Sequence, residues 1–201
     1  VATTLGDNVL LRGVLERRVR ESTDAREQVE CLDRLAQLAL KGGESALAIE
    51  RLRQAAEIAQ SMGDDATAIT LFDRLREIDR LDAHATTQLV ALHERNGSWD
   101  RVPALYSVLL ELASDAPARV ALLRRLSRTL AEHLGDLDRA FAAARSAFSL
   151  APEDKEVLAE AADLAIRTGA TEEFAMVINE ALAATAGGSP NTWAELMLAK
   201  A

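Results

Sequence analysis

The sequence has few aromatic residues, few lysines and only one cysteine. Aromatic residues make up 3% of the 201 residues, and lysine occurs only at Lys41, Lys155 and Lys200. The single cysteine, Cys31, excludes an internal disulfide, and its place at an apolar helical position predicts a buried thiol. A single cysteine fits a reducing compartment, so we expect the protein to be cytoplasmic.

Positive charge is also scarce, because 32 acidic residues outnumber 23 lysines and arginines and give a net charge of −9. Proteins that bind nucleic acids or anionic membranes need a basic surface, so we expect neither partner. No apolar run approaches the roughly 20 residues of a membrane span, and no signal peptide is evident. The sequence begins without methionine and ends inside a helical pattern, which indicates a fragment of a longer protein.

The sequence has none of the residue constellations that catalysis or metal binding requires. There is no Gly-x-x-x-x-Gly-Lys motif, and Cys31 has no histidine near it in the sequence. The three histidines, His84, His93 and His133, do not have the spacing of metal ligands. We expect His84 and His133 on a solvated surface and His93 half in the core. The sequence therefore predicts no enzyme, no cofactor and no metal site.

The sequence is rich in alanine and leucine, and four of its glycines are regularly spaced. Gly63, Gly97, Gly135 and Gly169 each separate two runs of helical apolar periodicity, at intervals of 34, 38 and 34 residues. A unit of 34 residues with two helices around a glycine is typical of an α-helical repeat. The four additional residues of the longer interval are most simply placed near Ser114–Pro117.

Apolar periodicity and capping residues predict ten helices and the start of another. Asp24 and Glu27 are expected to form a capping box, and Thr171 is expected to cap the last complete helix. Residues 1–7 are expected to be a frayed end. The predicted helices span about 8–21, 25–41, 44–62, 65–79, 83–96, 99–113, 117–134, 137–149, 153–168 and 171–185, and a truncated helix begins at 191.

The stretch after Gly135 resembles the tetratricopeptide (TPR) repeat. With Gly135 setting the register, Ala140, Ala144 and Ala147 fall at repeat positions 20, 24 and 27, and Pro152 falls at position 32. The resemblance implies an all-α fold, a right-handed α-solenoid of antiparallel helix hairpins with about ten helices. It implies one domain, 1–201, with irregular helices at 8–62, repeats at 49–82, 83–116, 121–154 and 155–188, and a truncated helix at 189–201.

In the TPR family, positions two, five, nine and twelve of each first helix point into a concave groove. The resemblance therefore implies a non-catalytic protein–protein interaction scaffold that binds a peptide or a partner helix in that groove. Arg53 and Arg125 are expected to be the main donors to partner carboxylates. The Lys and Asn of the chaperone-binding members, at positions five and nine, are not matched. The expected partner-binding residues are Arg53, Glu57, Gln60, His84, Thr87, Glu94, Arg125, Thr129, Glu132 and Asp163.

Two other functions fit the same pattern. The chain can be a self-associating structural module that forms a homodimer through exposed end helices, with Trp193, Leu196 and Leu198 at the interface. It can also be a ligand-sensing regulatory domain of a larger protein.

Overall fold

The computed structural model describes the backbone of residues 2–184 and the side chains of residues 8–181. The described backbone consists of ten α-helices joined by short turns, and it contains no β-strand. A 3₁₀ turn at Trp99–Arg101 leads into α6, and a π-helical turn at Thr129–His133 follows α7 directly. The helices are α1 Ala2–Glu21, α2 Ala25–Lys41, α3 Ser45–Ser61, α4 Asp65–Ile78, α5 Ala83–Arg95, α6 Val102–Leu112, α7 Ala116–Arg128, α8 Leu137–Leu150, α9 Lys155–Thr168 and α10 Thr171–Ala184.

The all-α prediction is confirmed for the described residues, and two helix starts need correction. The helix expected at 8–21 begins at Ala2, so the frayed end expected at 1–7 is wrong. That stretch contains no proline, and its one glycine, Gly6, costs a helix only about 1 kcal/mol. The helix expected from residue 99 opens with a 3₁₀ turn. The helix expected from residue 191 lies outside the described residues.

Aspartate side chains begin most of the helices. In each case the carboxylate accepts a hydrogen bond from a backbone N–H of the first turn, which a helix cannot otherwise satisfy. The Thr67 hydroxyl, and then the Thr67 N–H, hold the pKa of Asp64 below its ordinary value. The capping aspartates are Asp24, Asp64, Asp82, Asp115, Asp136 and Asp154.

Two expected caps differ in detail. Asp24 caps α2 by accepting from the Arg26 N–H at 2.9 Å, while the Glu27 carboxylate accepts from the Ser22 hydroxyl at 2.6 Å. The cap at Asp24 is therefore confirmed, but the reciprocal Asp24–Glu27 box is wrong. Thr171 is the first residue of α10 rather than its cap, because the Ala170 carbonyl accepts the first helical hydrogen bond from Phe174.

Left-handed glycines make the turns between helices. At the end of α9, Gly169 has φ +74°, and Ala170 donates back to the Ala165 carbonyl at 2.8 Å. Glycine favours this conformation because a Cβ atom there would be strained. The predicted glycines are thus confirmed as turn residues, and Gly43 joins them: positive φ occurs at Gly43, Gly63, Gly97, Gly135 and Gly169.

The chain divides into two compact units, Val1–Asn96 and Gly97–Ala201. In the N-terminal unit, α3 packs against both α2 and α4. Small side chains permit this close approach, because Ala48, Ala55, Ala56 and Ala59 are fully buried. Cys31 is 5% exposed, so the predicted burial of its thiol is confirmed.

In the N-terminal unit, ion pairs join α1 to the start of α3 and α5 to α4. Arg12 on α1 donates two hydrogen bonds to Glu44, at 3.0 and 3.1 Å, and these raise the pKa of Arg12. Arg95 on α5 likewise pairs with Asp65 on α4. Such exposed pairs contribute at most about 1 kcal/mol each, so the buried core carries most of the stability.

The core of the C-terminal unit combines alanines with a group of three phenylalanines. Phe174 on α10 is fully buried and meets Phe141 and Phe148 of α8 edge to face, with ring centroids 6.0 and 5.3 Å apart. The predicted small positions Ala140 and Ala147 are also fully buried. The aromatic group therefore attaches α10 to the hairpin before it.

We expect Phe174→Ala to lower the free energy of unfolding by about 3–5 kcal/mol, because it leaves a cavity between α8 and α10. Met176→Ala is the control, since Met176 lies on the same helix and is 61% exposed, and it should change stability by less than about 0.5 kcal/mol. Urea titrations followed by circular dichroism measure both. Equal losses in the two variants would contradict the packing described for α10.

Candidate functional site

The first surface of interest lies on α3 and α5, and we call Arg53, Glu57, Gln60, His84, Thr87 and Glu94 the α3–α5 wall. Side chains reach from one helix to the other. The Glu57 carboxylate lies 3.2 Å from His84 Nε2, and the Gln60 amide donates to Gln88 at 3.0 Å. Glu57 and His84 have side chains 50% and 44% exposed. The structure thus places Glu57 of α3 beside His84 of α5.

Arg53 of the α3–α5 wall forms an ion pair with the residue that caps α5. Its guanidinium donates to Asp82 Oδ2 at 2.5 Å, and the side chain of Asp82 is only 9% exposed. Asp82 Oδ1 also accepts from the Ala85 N–H at 2.7 Å as the cap of α5. Because breaking a partly buried pair would leave a carboxylate without its partner, the pair between Arg53 and Asp82 positions α5.

The second surface lies on α7, the π-helical turn after it and α9. We call Arg124, Arg128, Glu132, Glu160, Asp163 and Arg167 the α7–α9 wall. Arg124 donates two hydrogen bonds to Glu160, both 2.8 Å long, and one to Glu156 at 3.0 Å. The hydrogen bonds to Glu160 are the main reason that the pKa of Arg124 is raised. All six wall residues line one cavity of about 110 Å³.

A π-helical turn determines which side chains of α7 face α9. Such a turn accommodates one additional residue within a helix, and one residue rotates the chain before it by about 100°. The buried small residue of α7 is accordingly Ser127, 5% exposed, whose hydroxyl donates to the Ala140 carbonyl at 2.8 Å. Arg128, the next residue along α7, is 59% exposed.

The same shift corrects two predicted site residues. Arg125 does not face α9; its guanidinium carbon lies 5.6 Å from the ring centroid of buried Tyr106 on α6. Thr129 is only 4% exposed, so its expected place in an open groove is wrong. The residues that take these places are Arg124 and Arg128. A signal was present in the glycine interval of 38 residues, which is four residues longer than the other two intervals and contains the π turn.

The other predicted residues occupy surfaces of their own unit. Thr87 is exposed and Glu94 is half-buried on α5. Glu132 and Asp163 line the cavity of the α7–α9 wall, where Asp163 lies 3.5 Å from Arg167. The exposure expected for His84 and His133 and the half-buried position of His93 are confirmed. The ring of His133 also stacks on Trp99, with centroids 3.5 Å apart.

A further opening lies beside the α3–α5 wall. It has a volume of about 440 Å³ between α1, α2 and α3. Glu57 is the wall residue that reaches it, and Val19, Leu32 and Ile58 form its apolar part. Gln28, which also lines it, donates to the Ser22 carbonyl at 2.8 Å and so holds the α1–α2 turn.

The described residues contain no grouping of three or more His, Cys, Asp or Glu side chains that could hold a metal ion. Across the same part of the chain, no helix has the length and apolar character needed to cross a membrane.

Comparisons with known proteins place the fold in a class. No family model and no curated protein sequence matches the chain. Among solved structures, TPR-like repeats of a protein designated a kinesin light chain, from Podospora anserina, match 89% of this chain and 96% of their own. They have 17% identity and a TM-score of 0.50. A second crystal structure of those repeats has 16% identity, matches 86% and 92% of the two chains, and gives the same TM-score. MamA from Desulfovibrio magneticus RS-1 has 17% identity over 90% of this chain and 97% of its own, with a TM-score of 0.47.

The fold is therefore that of an all-α helical repeat. Within that class it is TPR-like, as the resemblance of the sequence implied, and the similarity to the kinesin light chain repeats supports this at the level of fold. Stacked helix hairpins of this kind expose extended surfaces.

The π turn leads to a test of register on α7. We expect Ser127→Leu to lower the free energy of unfolding by about 1–3 kcal/mol, because a leucine overpacks the contact with Ala140. Arg128→Leu is the matched control one residue later, and it should change stability by less than about 0.5 kcal/mol. Chemical denaturation compares the two. A larger loss for Arg128→Leu would mean that α7 follows the register counted from Gly135.

Proposed function

We propose that the chain is a non-catalytic scaffold that binds a peptide or a partner helix at the α3–α5 wall and the α7–α9 wall. The supporting observation is that polar side chains on both walls are exposed to solvent and take no part in the buried core. On the α3–α5 wall these include Glu57 and His84, at 50% and 44% side-chain exposure. On the α7–α9 wall they include Arg128 and Asp163, at 59% and 55%.

The proposed binding set keeps eight of the ten residues expected from the sequence. Arg125 and Thr129 are replaced by Arg124 and Arg128, because the π turn rotates them away from α9. Arg53 is kept as a positioning residue. The full set is Arg53, Glu57, Gln60, His84, Thr87, Glu94, Arg124, Arg128, Glu132 and Asp163. We further propose repeats at 49–82, 83–116, 121–154 and 155–188.

The proposed partners are proteins rather than nucleic acids or membranes. The net charge of −9 would repel a phosphate backbone or an anionic lipid surface. A reducing compartment such as the cytoplasm is proposed on the basis of the single thiol, Cys31, which is buried.

A photo-crosslinking amino acid tests the walls directly. Placed at Thr87 or Glu132, it should form a covalent adduct with the partner in the cells that make the protein, because both side chains are exposed on first helices. Placed at Thr70 on α4 or Ala142 on α8, which are also exposed, it should form none. Mass spectrometry identifies the adducts. Adducts confined to the α4 and α8 positions would refute binding at the walls.

A charge-matched pair of variants makes the same test quantitative with the partner that the adducts identify. Glu57→Lys with Thr87→Lys alters the α3–α5 wall, and we expect it to weaken binding at least about tenfold. Thr70→Lys with Glu77→Lys makes the same change of charge on α4 and should leave the affinity within about twofold. Equal effects in the two variants would indicate a general response to charge instead of a site.

Self-association is the second candidate, and α1 supports it. Among residues 8–21 of this helix, four apolar side chains are exposed to water, including Leu10 at 72% and Val14 at 57%. Contiguous exposed apolar residues mark interaction surfaces, and a second copy of an end helix can cover them. The segment with Trp193, Leu196 and Leu198, expected at the other end, lies outside the described residues.

Under this alternative, we expect Leu10→Glu with Val14→Glu to abolish a dimer that forms with increasing protein concentration. Leu81→Glu is the control, because Leu81 is 47% exposed in a turn. Sedimentation velocity over a range of concentrations distinguishes the two. A protein that stays monomeric throughout, with no difference between wild type and variants, excludes this interface.

A further inference from the structure

The C-terminal unit contains an apolar cavity that is separate from the cavity of the α7–α9 wall. It has a volume of about 400 Å³ and lies where the start of α7 meets the end of α8 and the start of α9. A volume of this size falls within the range of about 300–1,000 Å³ typical of ligand pockets. Its apolar lining consists of Ala116, Pro117, Val120, Ala121, Leu150 and Ala151.

Local sequence explains why this space is open. Three of the apolar lining residues are alanines, whose side chains end at Cβ. Pro117 lies in the first turn of α7, where its missing N–H costs little. Leu150 is 39% exposed, so the cavity opens to water on an apolar surface. An aliphatic side chain from another molecule would remove that surface from water.

Arg124 joins this cavity to the α7–α9 wall, because it lines both. Its guanidinium is held by Glu156 and Glu160, so the side chain is fixed and its charge is balanced. The positive ends of α7 and α9 are balanced as well. Asp115 accepts from the Ala118 N–H at 2.7 Å, and Asp154 accepts from the Glu156 N–H at 2.9 Å. An acidic ligand would thus find no unmatched positive charge at the helix starts.

The exposed charge around the opening is mainly negative. Glu156 is 78% exposed, and Asp115 and Glu153 are exposed beside the lining residues in the sequence. The exposed bases beside the lining residues are Arg119 and Lys155. The chain as a whole carries −9. Charge complementarity therefore favours a partner with basic residues next to its apolar side chain.

We infer that this cavity takes one leucine-sized aliphatic side chain from a basic segment of a partner protein, and that the segment continues past Arg124 onto the α7–α9 wall. The inference rests on the proposed function and specifies the chemistry of the partner. The aliphatic side chain supplies affinity, because its burial is favourable, and the flanking lysines or arginines supply orientation and a faster encounter.

The test uses three short fluorescent peptides and the whole chain. The probe has one leucine between two pairs of lysines on an alanine and glutamine background. In the second peptide serine replaces the leucine, and in the third glutamates replace the lysines. Fluorescence anisotropy at low salt should show binding of the probe, about tenfold or more weaker binding of the serine peptide, and no binding of the glutamate peptide.

Variants locate the site. Ala121→Phe fills the cavity and should reduce binding of the probe at least about tenfold, whereas Ala142→Phe, at an exposed alanine of α8, should leave it unchanged. Glu156→Lys should weaken binding and reduce its salt dependence, and Glu77→Lys in the other unit should do neither. Circular dichroism of each variant confirms that it is folded.

Three results would overturn the inference: no binding of the probe, equal binding by Ala121→Phe, or preference for the glutamate peptide. The crosslinking test at Thr87 and Glu132 separates this failure from that of the proposed function. If the partner forms adducts at those positions but the probe peptide does not bind the cavity, the inference alone is refuted. Absence of adducts together with absence of probe binding refutes both.

Discussion

Close approach of helices through alanine is the constraint on which the rest of the structure depends. A helix hairpin cannot bury both of its faces alone, so each helix must pack against more than one neighbour. α3 achieves this with Ala48, Ala55, Ala56 and Ala59 fully buried, and α8 does so with Ala140 and Ala147. Larger residues at these positions would separate the helices and open the core. The exposed walls are possible because the alanines face inward.

The elements of this fold were predictable because their signals are local. A left-handed glycine ends a helix and an aspartate begins the next, as at Gly135 and Asp136, and both depend only on nearby backbone groups. The finer partners of a cap were less predictable. Glu27 accepts from the Ser22 hydroxyl instead of from the Asp24 N–H, because that N–H donates to the Ser22 hydroxyl oxygen.

The walls were predictable only where the helix is regular. On the regular helices α3 and α5, Glu57 and His84 lie side by side, as the counted register predicts. On α7 the register is wrong by one residue before the π turn, so Arg125 and Thr129 were predicted where Arg124 and Arg128 lie. A spacing between glycines gives the number of additional residues but not their location. The ion pair that fixes Arg53 to Asp82 was equally hidden, because it joins residues 29 positions apart.

The π turn also separates two properties that a regular helix keeps together. In an unbroken α-helix, the residues that pack inward and those that face outward are fixed relative to one another along its whole length. The π turn at Thr129–His133 interrupts this relation. The outward-facing positions of α7 before the turn are shifted by one residue, while Leu130 remains buried and Gly135 retains its left-handed conformation. Insertion of one residue is thus a way for such a repeat to acquire a new surface in a single step. Alignments of related arrays should accordingly be anchored at both ends of each helix, since a count from one end assigns the surface of α7 to the wrong residues.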